Sequence, residues 1–197
     1  MPKLSRAADS DIYAIIAWLR SGDPRLAADR REYPPNEYNF LVKVLSNTAF
    51  SAPPMPDQPI VIPDSTDKIA LGEYIANNLL ECFACHSGDM MKVDPNNPAN
   101  SFGYYGGGIE MQNSQGEIVR TANITMEPET GIGKLREQQF IDAVKYGKNP
   151  RGGMLQEPML PHTTLTDAEI SAIYAFLKTV PVQHHAVERY ETKITSR

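Results

Sequence analysis

Cys82-Phe83-Ala84-Cys85-His86 is the stretch that decides how this chain is read. It holds both cysteines of the 197-residue sequence, and a histidine follows the second directly. Cys-x-x-Cys-His is the attachment signature of c-type haem. The spacing has a chemical reason. Each thiol adds to one haem vinyl group, and two intervening residues on a tight helical turn set both sulfurs along one porphyrin edge. The next imidazole then projects under the iron. A neutral ring nitrogen is a good ligand there, and the other nitrogen can be fixed by a backbone carbonyl.

Other readings of two cysteines fit less well. A zinc site wants four Cys or His ligands in two pairs, and His162, His184 and His185 make no second pair. A thioredoxin-like redox pair expects a preceding strand. Here Lys68 to Leu80 reads as a helix. A disulfide across two residues closes almost no loop and adds little stability.

An electron-transfer haem of this kind usually carries a methionine opposite the histidine. Met90 and Met91 stand too close to the cysteines to cross the porphyrin. Met159 is the first candidate, in the proline-flanked loop Glu157-Pro158-Met159-Leu160-Pro161. Met154 is the second candidate and Met126 the third. After the loop, Thr166-Asp167-Ala168-Glu169 has the form of a capping box that opens a final helix. The bland alternative for Met159 is a gap-filling residue under that helix.

From about Asp67 to Val182 the residues resemble a class I c-type cytochrome domain, and more closely the domains of bacterial periplasmic di-haem cytochromes c. The resemblance runs in order. It starts with Gly72-Glu73-Tyr74, the haem motif, Gly106-Gly107-Gly108 and Thr121-Ala122-Asn123-Ile124-Thr125. It continues through Glu129-Thr130-Gly131-Ile132-Gly133, Phe140 to Val144 and Lys145 to Lys148, and closes with Pro158-Met159 and Ala172 to Pro181. It implies a mainly α fold with long loops, one haem c (iron) held by Cys82 and Cys85, and His86 and Met159 as axial ligands. It also implies that Asn123, Ile124 and Thr125 lie near the haem edge and its propionates. The sequence departs from the family pattern at Leu135, where a tryptophan usually donates to a propionate. Leucine cannot donate; Lys134 or Arg136 are the cationic substitutes.

With 24 acidic and 19 basic side chains the net charge is −5. No basic stripe marks a nucleic-acid partner. No apolar run reaches the roughly 20 residues of a membrane span. No secretory signal peptide is visible: the stretch after Arg6 contains Asp9 and Asp11 and lacks a small-residue cleavage site. Haem attachment in bacteria follows export, so the expectation is a processed product or a fragment. Its place would be the periplasm, with any membrane association made through a partner or through further N-terminal sequence.

The front of the chain echoes its end. Asp11 to Ser21 aligns with Glu169 to Thr179 at a constant offset of 158 (Asp11 against Glu169), sharing Ala-Ile-x-Ala-aromatic-Leu-basic order. Residues 1–22 therefore read as the closing helix of an upstream cytochrome-like domain, with Met1 opposite Met159. The alternative is a true N-terminal helix with Trp18 in the core. Residues 23–64 read as a proline-rich connector with one helix over Tyr38 to Phe50. That helix either packs across the domain junction or, if Phe40, Leu41 and Phe50 are exposed, marks a surface for another subunit. Residues 65–182 are the haem domain. Between Lys92 and Arg120 a short β-hairpin is expected at Asn113-Ser114-Gln115-Gly116. Tyr104 and Tyr105 either cover a haem edge or bridge loop and core. The polar tail, 183–197, reads as solvated or reaching a partner, in preference to His184 and His185 as metal ligands.

The expected function is single-electron transfer between redox proteins such as a dehydrogenase, an oxidase or another cytochrome, in a bacterial respiratory chain. Two rivals stand beside it: a haem enzyme or gas sensor with a displaceable sixth ligand, and a haem subunit within a larger oxidoreductase assembly.

Overall fold

The computed structural model describes residues 6–48 and 56–188. The described residues fall into two compact units, those up to Val61 and those from Ile62 on. The first contains helix α1 (Asp9–Leu19), whose first turn carries Asp9 and Asp11 against the positive end of the helix dipole. A single 3-10 turn over Pro24–Leu26 follows, with Asp23 accepting the Arg25 N–H at 2.9 Å. The prolines then hold the chain extended until helix α2 (Phe40–Thr48). That helix starts later than the sequence suggests because the Asn39 side chain caps it, accepting the Val42 N–H at 2.9 Å. Phe50 lies outside the described residues. Neither helix buries a residue.

The second unit is mostly helical, as the sequence predicts. Helix α3 (Lys68–Glu73) is capped by Asp67, which accepts the Ala70 N–H at 3.0 Å. It does not run on as one α-helix to Leu80. Tyr74–Leu79 form a π-helical turn, with the Leu80 N–H reaching back five residues to the Ile75 carbonyl at 2.9 Å. Periodicity cannot show such an insertion. The extra residue is associated with Asn77, a buried amide whose Oδ1 accepts the Tyr105 hydroxyl at 2.8 Å and whose Nδ2 donates to the Tyr104 oxygen at 3.0 Å. Tyr104 and Tyr105 are both buried. They bridge loop and core.

Helix α4 (Cys82–His86) comes next, then the hairpin β1 (Glu110–Gln112) and β2 (Ile118–Arg120), antiparallel with Met111 opposite Val119. Its turn is built by Asn113, whose Oδ1 accepts from the Gln115 and Glu117 N–H groups at 3.0 and 2.8 Å. Helices α5 (Glu137–Tyr146) and α6 (Asp167–Leu177) complete the unit. The capping box of α6 is formed as read: Glu169 N–H to Thr166 Oγ1 at 3.2 Å, Thr166 N–H to Glu169 Oε2 at 2.7 Å.

The core is the packing of α6 on α3, with α5 alongside. α6 buries Ile170, Ala172, Ile173, Tyr174, Phe176 and Leu177. Each large apolar side chain contributes roughly 1.5–3 kcal/mol by leaving water. Phe140 stacks on Tyr174 with centroids 5.2 Å apart, and Lys145 pairs with Asp167 at 2.5 Å, so α5 is tied to the start of α6. α3 and α6 approach so closely that a Cβ on Gly72 would overlap the Ala172 carbonyl. Two backbones meet there, and neither can swing aside.

Gly72→Ala is therefore expected to cost about 3 kcal/mol, the upper end of the overpacking range. Urea denaturation of the holoprotein checks it; a loss under about 1 kcal/mol would show that the crossing yields.

Candidate functional site

α4 spans five residues, Cys82–His86. It starts from Glu81 in the left-handed region (φ 49°), which turns the chain sharply out of the π turn. On one helical turn, residues three and four apart share a face. Cys82, Cys85 and His86 are related in this way. Phe83 points elsewhere and is only 2% exposed, anchoring the turn in the core. Ser87 ends the helix with its hydroxyl donating to the Phe83 carbonyl at 2.6 Å.

Both thiols are free, Cys82 half-buried and Cys85 exposed. Burial, and then the neighbouring Cys85, push the Cys82 thiol up to about 12. Burial first and the Glu81 carboxylate second push the Cys85 thiol up as well. Both are neutral thiols at neutral pH.

His86 Nδ1 lies 2.8 Å from the Ala122 carbonyl oxygen. A carbonyl only accepts, so Nδ1 carries the proton and the Nε2 lone pair is the one suited to a metal. The His86 carbonyl accepts the Gly107 N–H at 2.8 Å, so ring and backbone are both held. Gly107 has φ +68°, and a Cβ there would overlap the Ala122 carbonyl carbon. The glycine run lets the 103–108 loop lie flat against the peptide that orients the imidazole. The sequence places Ala122 in the Thr121 to Thr125 run but gives it no role, because a backbone carbonyl leaves no trace in residue identity. Gly107 left one, in the run Gly106-Gly107-Gly108.

The segment after Ala122 is well ordered by its own side chains. Asn123 Oδ1 accepts from the Thr125 N–H at 3.0 Å and the Thr125 hydroxyl at 2.7 Å. Asn123 and Thr125 are buried, while Ile124 is half-exposed. The next turn is closed by Glu127, which accepts from the Glu129 N–H at 2.8 Å and from the Thr130 N–H and hydroxyl. Backbone hydrogen bonding from Thr130, and then its hydroxyl, holds the Glu127 carboxyl below the usual range.

The methionines occupy different settings. Met159 is half-exposed in a loop pinned to the end of α5, with Leu155 N–H on the Gly147 carbonyl at 2.6 Å and His162 N–H on the Val144 carbonyl at 2.9 Å. Met154 is 61% exposed and lies against Gly147. Met126 is half-buried, with its carbonyl against Gly133. Around Leu135 the two neighbouring cations already have partners. Lys134 pairs with Glu129 at 2.7 Å, and Arg136 Nε donates to Gln139 at 3.4 Å. The Leu135 carbonyl accepts the Tyr174 hydroxyl at 2.6 Å.

Two thiols and an imidazole whose Nδ1 is committed to a carbonyl, on one face of one turn, are the donor set a covalently held haem requires. The chain belongs to the cytochrome c family, whose model (Cytochrome c) matches residues 69–181, over half of the sequence. The matched region is a haem-bearing electron-transfer domain, and its mostly helical fold is the one expected. Among its relatives is the cytochrome c subunit of alcohol dehydrogenase (quinone) from Gluconobacter oxydans, 34% identical over 125 residues, 60% of this chain and 23% of that protein. The fructose dehydrogenase cytochrome subunit of Gluconobacter japonicus is 30% identical over 116 residues, 57% of this chain and 22% of that protein. The gluconate 2-dehydrogenase cytochrome c subunit of Pantoea cypripedii is 33% identical over 108 residues, 53% of this chain and 21% of that protein. The chain thus spans under a quarter of the length of these relatives. Among the described residues no helix is long and apolar enough to cross a membrane.

Gly107→Ala should cost about 2 kcal/mol, combining a left-handed φ with a backbone overlap. Gly116→Ala, at φ +82° with only the end of the Gln112 side chain nearby, should cost about half as much. Denaturation midpoints of the two variants give the comparison, and equal losses would mean that the contact with Ala122 adds nothing.

Proposed function

We propose that this chain carries one haem c, bound through Cys82 and Cys85 with His86 and Met159 as axial ligands. Its role is to pass single electrons from the catalytic subunit of a dehydrogenase toward a respiratory acceptor in a bacterial periplasm. The observation that carries this reading is the shared face of α4, with His86 Nδ1 committed to the Ala122 carbonyl at 2.8 Å. When bound, haem c supplies reversible one-electron chemistry at iron.

The chain's residues set the conditions for that chemistry. Cys82 and Cys85 would hold the cofactor through its redox cycle. Ala122 keeps the His86 ring aimed, with Nδ1 as the donor and Nε2 turned to the cofactor side. Met159 stands on a loop anchored at both ends, which supports it over the exposed Met154. A thioether sulfur favours the reduced state, so a His/Met pair raises the potential over His/His. Asn123, Ile124 and Thr125 follow the orienting peptide directly, which supports their place beside the haem edge. The named relatives are cytochrome subunits of dehydrogenases, which supports a dehydrogenase partner. Export before haem attachment supports the periplasm.

The division into 1–22, 23–64, 65–182 and 183–197 belongs to the same proposal. Its support is the correspondence of α1 with α6. The buried α6 residues Ile170, Ala172, Ile173, Tyr174, Phe176 and Leu177 correspond to Ile12, Ala14, Ile15, Ile16, Trp18 and Leu19. None of these six is buried, and Trp18 and Leu19 are 46% and 56% exposed. A helix patterned for a cytochrome core but lacking that cover is what the closing helix of an upstream domain would be. Phe40, 82% exposed, and Leu41 add an apolar face suited to an assembly.

Protein from a maturation-competent host should give one haem per chain in a pyridine haemochrome assay, with a low-spin visible spectrum. Met159→Ala should abolish the weak methionine–iron band at the red end of the spectrum, and Met154→Ala should leave it intact. The reverse pattern would move the ligand to Met154. A high-spin resting spectrum that responds readily to carbon monoxide would favour the sensor or enzyme reading.

A further inference from the structure

The residues that follow α6 do not simply trail into solvent. The Gln183 carbonyl accepts from Asn123 Nδ2 at 2.7 Å, and the Gln183 N–H donates to Thr125 Oγ1 at 3.2 Å. The same Asn123 amide lies 3.3 Å from the His185 carbonyl. His185 Nδ1 sits 3.2 Å from the Gly106 carbonyl, which makes it the donor. The ring also covers Gly108, where a Cβ would come within 2.7 Å of its Cε1. His184, between them, points away; its side chain is 83% exposed and faces Glu127 at 3.6 Å.

These contacts fall on two pieces of chain, and both pieces hold His86. Asn123 is the next residue after Ala122, whose carbonyl fixes the imidazole. Gly106 and Gly108 flank Gly107, whose N–H holds the His86 carbonyl. The two pieces are also joined directly, Gly108 N–H to the Thr121 carbonyl at 2.9 Å.

We propose that Gln183–His185 is a positioning strap that clamps the 106–108 loop to the 121–125 segment and so sets the orientation of the His86 ring. Gln183 and His185 are positioning residues, since neither contacts His86. The assignment rests on His86 being the proximal ligand, as proposed above. Asn123 then has two duties: its carbonyl oxygen orders Thr125, and its amide nitrogen anchors the strap, with Thr130 Oγ1 at 3.2 Å completing its bonds. The strap spans about 60 residues of sequence (Asn123 to Gln183), so it closes a long loop with a few polar contacts. Loss of one such hydrogen bond typically changes a local opening equilibrium by about tenfold.

The test uses the full-length, haem-loaded protein in its reduced state. His185→Ala should raise the amide exchange rate of Gly107 by about tenfold, shift the reduction potential, and move the ring signals of the axial histidine. His185→Gln, which keeps a donor, should restore much of the exchange protection and the potential. His184→Ala should leave all three readings at native values. Native Gly107 exchange and native potential in His185→Ala would overturn the strap. A general loss of stability in His185→Ala, with exchange rising everywhere and no rescue by His185→Gln, would overturn it too. A native protein without a low-spin haem spectrum would sink the ligand assignment instead, and Gly107 exchange would still decide whether the strap exists.

Discussion

The hydrogen bond from His86 Nδ1 to the Ala122 carbonyl, 2.8 Å long, is the constraint around which the haem-motif region is organised. An imidazole one residue past two cysteines is of little use as a ligand if it is free to rotate or presents the wrong nitrogen. The bond fixes the ring plane, and because a carbonyl only accepts it places a proton on Nδ1 and leaves Nε2 as the nitrogen that faces a metal. The cost is structural. A backbone peptide 36 residues downstream must be brought against a five-residue helix and kept there. The flat glycine loop, the Asn123–Thr125 pair and the chain after α6 all bear on that peptide.

The rest of the core supplies a rigid base for it. α3 and α6 cross with their backbones in contact at Gly72 and Ala172, and the π turn at the end of α3 places buried Asn77 under Tyr104 and Tyr105. Those tyrosines immediately precede the glycine loop. Phe83 ties α4 to the same core while the cysteines and His86 lie on other positions of the turn. Packing thus reaches the site by two routes, through α4 itself and through the loop that receives the His86 carbonyl.

What could be read from the sequence was local. The haem motif, the Thr166–Glu169 capping box and the Asn113–Gly116 turn all depend on residues within a few positions of one another, and each signals itself in residue type. The π turn was invisible because an α-helical period differs from it by one residue in a six-residue stretch. The orienting carbonyl of Ala122 was invisible because every residue has one. The role of Asn77, and the bonds from Asn123 to Gln183 and His185, depend on partners 27 to 62 residues away, which no local pattern encodes. Leu135 was legible as a departure from the family pattern. The engagement of Lys134 with Glu129, and of Arg136 with Gln139, is set by the fold of the turn and by helix α5 and has no signature in residue type.

Peptide mapping of protein from a maturation-competent bacterial host tests the account most directly. After proteolysis, mass spectrometry should find the peptide that spans Cys82–His86 carrying a single haem through both sulfurs, with neither cysteine open to alkylation. Recovery of that peptide with both thiols alkylated and no haem mass, from cells that mature other c-type cytochromes, would contradict it.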